Sequence, residues 1–329
     1  MNSSPDPGCP LCGGAERRRL VTRRGWDVVR CRSCGLVFVW PQPAAAELEA
    51  LYSSGAYHAE VDEAERRRTF ARRLREIEAL KPERGRLLDV GCSKGYFVEA
   101  ARDAGWDAVG VELNRNAVEE ARSRGLDVRH GDLAGQDFAE ASFDVVTLFD
   151  LIEHSPDPVA TLAQCRRLLR PEGFLIVTTP DVGGLVPRVT YNLFGRTLGA
   201  WGHPTPPGHL VEFSRRTLLQ AIDRAGLEIV RERSEHIPLA YSAGKLENAV
   251  MDVLAGRHLL KRLDCGLRIG DCGLKSEIRN PKSEMTRLRR VPRLGVRALA
   301  WTVVGLAGGV ARLVRWGDSR WVSARPRGR

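Results

Sequence analysis

Cys9-Pro10-Leu11-Cys12 and Cys31-Arg32-Ser33-Cys34 carry the plainest chemistry in this chain of 329 residues. Two C-x2-C pairs, 18 residues apart, place four thiolates on two short knuckles. That is the spacing of a closed, structural tetrahedral zinc site. Two disulfides are the alternative. No signal-like or spanning segment opens the chain, so a cytoplasmic, reducing setting is expected, where thiols stay available for metal. A unit of about 40 residues also lacks a core of its own, so metal would supply much of its folding free energy.

A second locus is Asp89–Phe97, DVGCSKGYF. The apolar Leu87-Leu88 run, the glycine turn and the helix formers after it read as strand, tight turn and helix, the nucleotide- or nucleoside-binding corner of an open α/β sheet. A dinucleotide fits poorly. Its fingerprint needs three glycines, whereas this turn has glycine at 91 and 95 only, with Ser93 between them and the bulky Tyr96 behind. No Gly-Lys-Ser/Thr follows, so a P-loop is excluded as well. The third locus is a set of histidines. His154 follows an apolar strand, and His203 and His209 share a loop rich in proline and glycine. Imidazole is the natural general base near neutral pH.

The elements that must position these groups alternate. Asp107–Val111 reads as a strand ending in Glu112, which lies 23 residues beyond Asp89, where an acid can accept hydrogen bonds from ribose hydroxyls. Leu126–Arg129 is a short strand before Gly131-Asp132-Leu133. Phe143–Phe149 is an apolar, β-branched strand ending in Asp150, the helix at about 158–169 stops at RPEG, and Phe174–Thr178 forms the next strand. Short connections between five strands and their helices indicate a parallel, doubly wound sheet. Arg320–Arg325 is expected as a last, antiparallel strand beside Leu227–Arg231.

Residues 89–97 resemble motif I of the class I S-adenosylmethionine-dependent methyltransferases, with Ser93 standing where the middle glycine would be. The resemblance implies a Rossmann-like α/β fold with a seven-stranded doubly wound sheet and S-adenosylmethionine as cofactor. It carries the cofactor-binding set Asp89, Gly91, Cys92, Ser93, Gly95, Tyr96, Phe97, Glu112, Leu113, Asp132, Leu133 and Asp150. In the family, an acid such as Asp132 binds the adenine amino group and the apolar neighbour packs on the ring. In related enzymes the E-H-x-x-D-P segment lies beside the pocket and GHLVEFS resembles a substrate-side segment, which makes His154 and then His209 the catalytic candidates. The ribbon narrows the resemblance, over roughly residues 9–236, to a bacterial group in which a zinc-binding ribbon precedes such a domain. Many of its members are encoded among enzymes for antibiotics, surface polysaccharides or other secondary metabolites.

The expected organisation is a ribbon at 1–40 holding Zn2+ on Cys9, Cys12, Cys31 and Cys34, a helical linker or cap at 41–85, and the cofactor-binding domain at 86–236. A helical insertion at 237–316 and a last strand with a basic tail at 317–329 follow. Within the insertion, DCGLRIG-DCGLKSE-IRNPKSE at 264–284 repeats with period seven. Asn280-Pro281 and the missing apolar seam exclude a coiled coil, so the repeat is read as a neutral insertion, with Cys265 and Cys272 as its passengers. The charge is localised too. Residues 286–329 hold eleven arginines and one acid, Asp318, which equals the formal net charge of +10 of the whole chain. There Ala298–Ala311 is a 14-residue apolar run between Arg297 and Arg312, too short to span a bilayer. It reads as a buried helix covering the sheet edge. A peripheral contact with anionic lipid is the alternative.

Two classes of function remain. The first is transfer of a methyl group to a small-molecule acceptor, at a hydroxyl of a sugar, polyketide, peptide or lipid-linked metabolite. The second is an rRNA or tRNA methyltransferase gripping the backbone with the ribbon arginines, from Arg17–Arg19 to Arg32. No N/D-P-P-Y/F motif follows the fourth strand, and aromatic residues make up only 6% of the chain, few for base stacking. A binding module without turnover would be a third class, distinguished by failure to bind S-adenosylmethionine.

Overall fold

The computed structural model describes residues 8–53, 63–237, 242–253, 293–313 and 316–328. The repeat at 264–284, with Cys265 and Cys272, lies outside the described residues. The ribbon begins as an antiparallel meander of β1 (Arg17–Arg23), β2 (Trp26–Cys31) and β3 (Val37–Trp40). After α1 (Ala45–Ser53) and α2 (Glu63–Leu80), the chain enters the large sheet at β4 (Arg86–Val90). It then alternates through α3 (Tyr96–Asp103), β5 (Asp107–Glu112), α4 (Arg115–Ser123), β6 (Asp127–His130) and β7 (Phe143–Phe149). A single 3-10 turn at Ile152–His154 leads into α5 (Pro158–Leu168) and β8 (Leu169–Pro180). Next come α6 (Leu185–Thr190), a π-helical turn at Tyr191–Gly195, α7 (Arg196–Leu198) and the two-residue β9 (Val211–Glu212). The chain closes with α8 (Arg215–Arg224), β10 (Leu227–Glu235), α9 (242–253), α10 (Arg293–Leu313) and β11 (Ser319–Pro326).

The large sheet has seven strands in the order β10-β11-β8-β7-β4-β5-β6, and β11 alone runs against its neighbours. β4 lies inside the sheet between β7 and β5, with Leu88 level with Val109 of β5 and with Val146 of β7. Its apolar run, and the unbroken burial of Phe143–Leu148 in β7, follow from helices covering both faces, the usual condition of parallel strands. On one face Leu74 and Ile77 of α2 join Phe97 and Val98 of α3 around Leu87 and Val145. On the other, Leu88, Val146 and Leu148 meet Leu162 of α5, Leu218 of α8, and Cys9, Leu36 and Phe38 of the ribbon. The ribbon therefore shares a core with the sheet rather than standing apart.

Two sequence expectations shift. β8 starts at Leu169 rather than Phe174, because RPEG is taken up by an irregularity in which the pairing with β7 jumps from Leu169 to Phe174. α10 is also not a buried helix. It packs one side on α6 and α9, and leaves Leu299, Trp301, Leu306 and Val310 exposed.

Candidate functional site

The glycine turn sits at the carboxyl end of β4. Gly91 and Gly95 take left-handed angles, φ +73° and +76°, and a Cβ on Gly95 would come within 2.8 Å of Leu126 Cδ1. Ser93, at φ +51°, adopts the same region without being glycine. What holds it there is Glu112, at the end of the neighbouring β5. The Ser93 N–H donates to Glu112 Oε2 at 2.9 Å, and the Asn114 N–H donates to Oε1 at 2.8 Å. Both carboxylate oxygens are thus fixed in direction by backbone donors and keep lone pairs for further hydroxyl donors. A left-handed non-glycine residue costs about 1–2 kcal/mol, and glycine's extra unfolded-state freedom returns about 0.5–1 kcal/mol of that. Ser93→Gly is therefore expected to raise Tm by a few degrees with cofactor affinity unchanged, as read by calorimetry. A lowered Tm would show that the Ser93 side chain is itself needed.

Around this corner the sequence-derived set divides. Glu112 is half-buried and Leu113 beside it is 40% exposed. Asp132 is exposed, and its Oδ1 accepts from the Gly135 N–H at 2.7 Å, while Leu133 packs against the core. Asp150 is exposed at the end of β7, its Oδ1 accepting from Thr178 Oγ1 at 3.1 Å. Tyr96 is half-buried beneath two guanidiniums, Arg67 and Arg124, each 4.9 Å from its ring. Two members are corrected. Phe97 has no exposed surface and packs edge-on to Phe149 at 4.8 Å, so it is a core residue and cannot touch a ligand. The Cys92 side chain is 6% exposed and turned inward, where a Cβ on Gly110 would lie 2.5 Å from its sulfur, so only its backbone faces the corner. Asp89 is 3% exposed and accepts from Thr147 Oγ1 at 2.6 Å. Burial pushes its carboxyl up to about 7, with Thr147 opposing.

Arg73 is a group the sequence did not single out. It projects from α2, within a run of arginines that reads as a solvated face, yet it is only 7% exposed. Its guanidinium lies 4.7 Å over the Phe149 ring, and its charge bears on Asp89. Nη2 comes within 3.7 Å of Glu235 Oε2, while Nε and Nη1 have no hydrogen-bond partner. Buried unpartnered donors are costly, and these are suited to the carboxylate end of an amino-acid-bearing nucleoside.

The acceptor side is built at the carboxyl ends of β7 and β8. His154, half-buried on the 3-10 turn, donates Nδ1–H to the Gly208 carbonyl at 2.8 Å. That bond fixes the tautomer and makes Nε2 the basic nitrogen. His209 stands edge-on to it, with ring centroids 5.0 Å apart. The neutral His209 ring donates Nδ1–H to Glu212 Oε1 at 3.2 Å. Burial lowers His154 below the usual histidine value and holds His209 and His203 down at about 3. Burial likewise raises Glu153 and Glu212 to about 7. The Glu153 Oε2 accepts from Thr179 Oγ1 at 2.8 Å. Glu153, His154 and His209 bring their donor atoms within 4.8 Å of one another, close enough to surround a cation. Asp181 plays no such part, because its oxygens are taken by the Gly183 N–H and by Arg320 Nε at 2.6 Å.

Tyr52 of α1, also missed by the sequence reading, joins the two halves. Its carbonyl accepts from Asn114 Nδ2 at 3.0 Å, and its hydroxyl donates to the Gly208 carbonyl at 2.9 Å. The ribbon supplies the wall behind His209. β9 pairs with β3, Phe38 opposite Val211, and the Val39 and Leu210 N–H groups donate to the Leu210 and Glu153 carbonyls, each at 2.9 Å.

In the ribbon, the cysteine sulfurs lie within 4.8 Å of one another, with Cys9–Cys34 at 3.5 Å and Cys12–Cys31 at 3.6 Å. Sulfurs bonded to one tetrahedral zinc at about 2.3 Å stand about 3.8 Å apart, whereas a disulfide needs about 2.05 Å. The donor set fits zinc.

A corner shaped for a nucleoside with a charged tail, set between inner strands of a doubly wound sheet with one reversed strand, defines a class I S-adenosylmethionine-dependent methyltransferase. Residues 63–232 match the family described as "Methyltransferase domain", and the chain belongs to that family. It is 32% identical over 147 residues to a probable S-adenosylmethionine-dependent methyltransferase of Mycolicibacterium smegmatis, covering 44% of this chain and 52% of that one. It is 36% identical over 115 residues to the ubiquinone biosynthesis O-methyltransferase of Methylococcus capsulatus, covering 32% of this chain and 48% of that one. The chain thus spans about half the length of these curated relatives. A crystal structure of a SAM dependent methyltransferase from Archaeoglobus fulgidus superposes with a TM-score of 0.46 at 15% identity, covering 79% of this chain and 94% of that one.

Proposed function

We propose that this protein methylates a hydroxyl of a small-molecule acceptor, with S-adenosylmethionine held at the glycine corner and His154 as general base. The observation that carries the reading is the placement of Glu112 and His154 on one sheet edge, on either side of the glycine turn, tied together through Tyr52. When bound, S-adenosylmethionine supplies a methyl group already activated on sulfonium, so the protein's task is chiefly alignment. Glu112 accepts from the ribose hydroxyls, the backbone of the turn follows the nucleoside, and Arg73 offers its unpartnered donors to the carboxylate tail. On the acceptor side, His154 Nε2 receives the hydroxyl proton while Gly208 holds the ring. His209 and Glu212 fix that ring's far edge, and Cys9, Cys12, Cys31 and Cys34 hold a structural zinc that keeps the wall in place.

The relatives named ubiquinone biosynthesis O-methyltransferase support oxygen as the methylated atom. An RNA acceptor is less well supported, because the ribbon's charge is partly spent inside the protein. Arg23 is 8% exposed and donates to the Trp201 carbonyl at 2.6 Å, and at the surface Arg19 is neutralised by Asp27.

The test is calorimetry with S-adenosylhomocysteine, followed by mass spectrometry of phenolic, sugar and lipid-linked alcohols for the gain of one methyl group. Glu112→Ala removes a charged acceptor worth about 1.5–3 kcal/mol, so the cofactor Kd is expected to rise about 10- to 100-fold. An unchanged Kd would place the nucleoside elsewhere, and methylation of RNA in preference to every alcohol would overturn the acceptor class.

A further inference from the structure

Between Arg297 and Arg312, α10 carries no charged residue, and its one polar side chain is Thr302. A helix on a protein surface ordinarily turns an apolar stripe inward and a charged face outward. Here the inward arc is Ala300, Val304, Ala307 and Ala311, buried against α6 and α9. The outward arc is apolar as well. Leu299, Leu306 and Val310 fall on one stripe at helical spacing and are 49%, 70% and 51% exposed, with Trp301 beside them at 43%. A Cβ on Gly305 or Gly309 would meet nothing within 4 Å, so this face is open. Leu193 and Leu198, on the helical segment that packs into the same cluster, are also exposed.

Charge identifies what such a face meets. Of the eleven arginines of residues 286–329, Arg320, Arg325 and Arg327 are paired with Asp181, Glu228 and Asp223, whereas Arg297 and Arg312 are exposed at the two ends of the apolar arc. An anionic, apolar-cored surface complements that pattern. A second copy of the chain would bring the same arginines face to face, and RNA offers nothing to the leucines. No helix among the described residues is long and apolar enough to cross a membrane, so the fitting geometry is a helix lying in the interface plane.

We infer that α10 anchors the protein to an anionic lipid surface, its outer arc sunk into the headgroup boundary and the flanking arginines on lipid phosphates. The anchor is mechanically close to the acceptor side. α9, packed beneath α10, carries Lys245, whose backbone lies against Gly202 and whose charge bears on His154, His203 and His209. Attachment itself does not depend on which acceptor is methylated.

The test is flotation of the full chain with vesicles of phosphatidylcholine alone and of phosphatidylcholine with about one quarter phosphatidylglycerol. Wild type is expected to float with the anionic vesicles only and to be released as salt rises and the Debye length shrinks. Leu306→Glu adds a charge where it faces solvent and should weaken partitioning at least about tenfold, while calorimetry with S-adenosylhomocysteine stays unchanged. Three results would overturn the inference: no flotation, equal flotation with neutral vesicles, or flotation that Leu306→Glu leaves intact. A dimer in size exclusion that Leu306→Glu dissociates, without vesicle binding, would assign the face to a second copy.

Discussion

With the ribbon holding the zinc proposed above, replacing Cys34 by serine is expected to release the metal, melt the ribbon and cut turnover to background, while S-adenosylhomocysteine still binds within a few-fold of wild type. The cause is the division of labour between the two sides of the sheet edge. A structural zinc contributes about 10–16 kcal/mol to the folding of the unit that holds it, more than a small meander could replace from its own core. The Cys34 backbone carbonyl, which the substitution keeps, accepts from Arg216 of α8, a bond that persists only while the knuckle stays folded. Once β3 is loose, Val37 and Phe38 no longer pair with Glu212 and Val211, and the Val39-to-Leu210 bond is lost. His209 and Glu212 then lose their support, and so does the loop whose Gly208 carbonyl orients His154. The cofactor corner is made from β4, α3 and β5, with α2 over it, and among the described residues no ribbon side chain joins the cluster beneath it. Metal analysis, a melting curve, calorimetry and turnover on one sample of Cys34→Ser separate these effects. Full turnover from a zinc-free ribbon would show that the wall holds without metal.

Much of this was legible because it rests on periodicity and on groups with few alternatives. An apolar run, a glycine turn and a helix leave little choice about β4 and α3, and the acid ending β5 follows from strand length. Two C-x2-C pairs likewise specify a knuckle before any coordinates exist. What escaped the sequence is what depends on the third dimension. Phe97 and Tyr96 are adjacent aromatics in one motif, and only the packing of Phe149 and Phe70 assigns Phe97 to the core. Arg73 cannot be told from Arg72 or Arg75 by type or spacing. It is singled out only because α2 lies across β4 and β7 and buries that one guanidinium. The two residues of β9 carry no strand signal, since their partner is 173 residues away at Phe38 and the pairing is worth making only once the ribbon docks. Ser93 is the converse case. The sequence marks it as a departure from glycine, and the structure supplies the Glu112 carboxylate that offsets its strain.

His154→Gln is expected to lower kcat by about 10²–10⁴, the usual worth of a positioned general base, with the cofactor Kd unchanged. His209→Asn should cost less, because His209 reaches the reacting proton only through the ring it braces. The pH profiles distinguish the two roles. Burial holds His154 below 6.5, so the base is already neutral at neutral pH, and activity should be lost only as pH falls through a value below that figure. In His154→Gln that acid limb should vanish. In His209→Asn water can enter beside His154, the desolvation that depresses it weakens, and the limb should move up toward 6.5 while kcat drops by about one order of magnitude. Unchanged turnover in both variants would reject an imidazole base. Loss of turnover in His209→Asn alone, with the acid limb intact in His154→Gln, would instead make His209 and Glu212 the proton-accepting pair, with His154 as the brace.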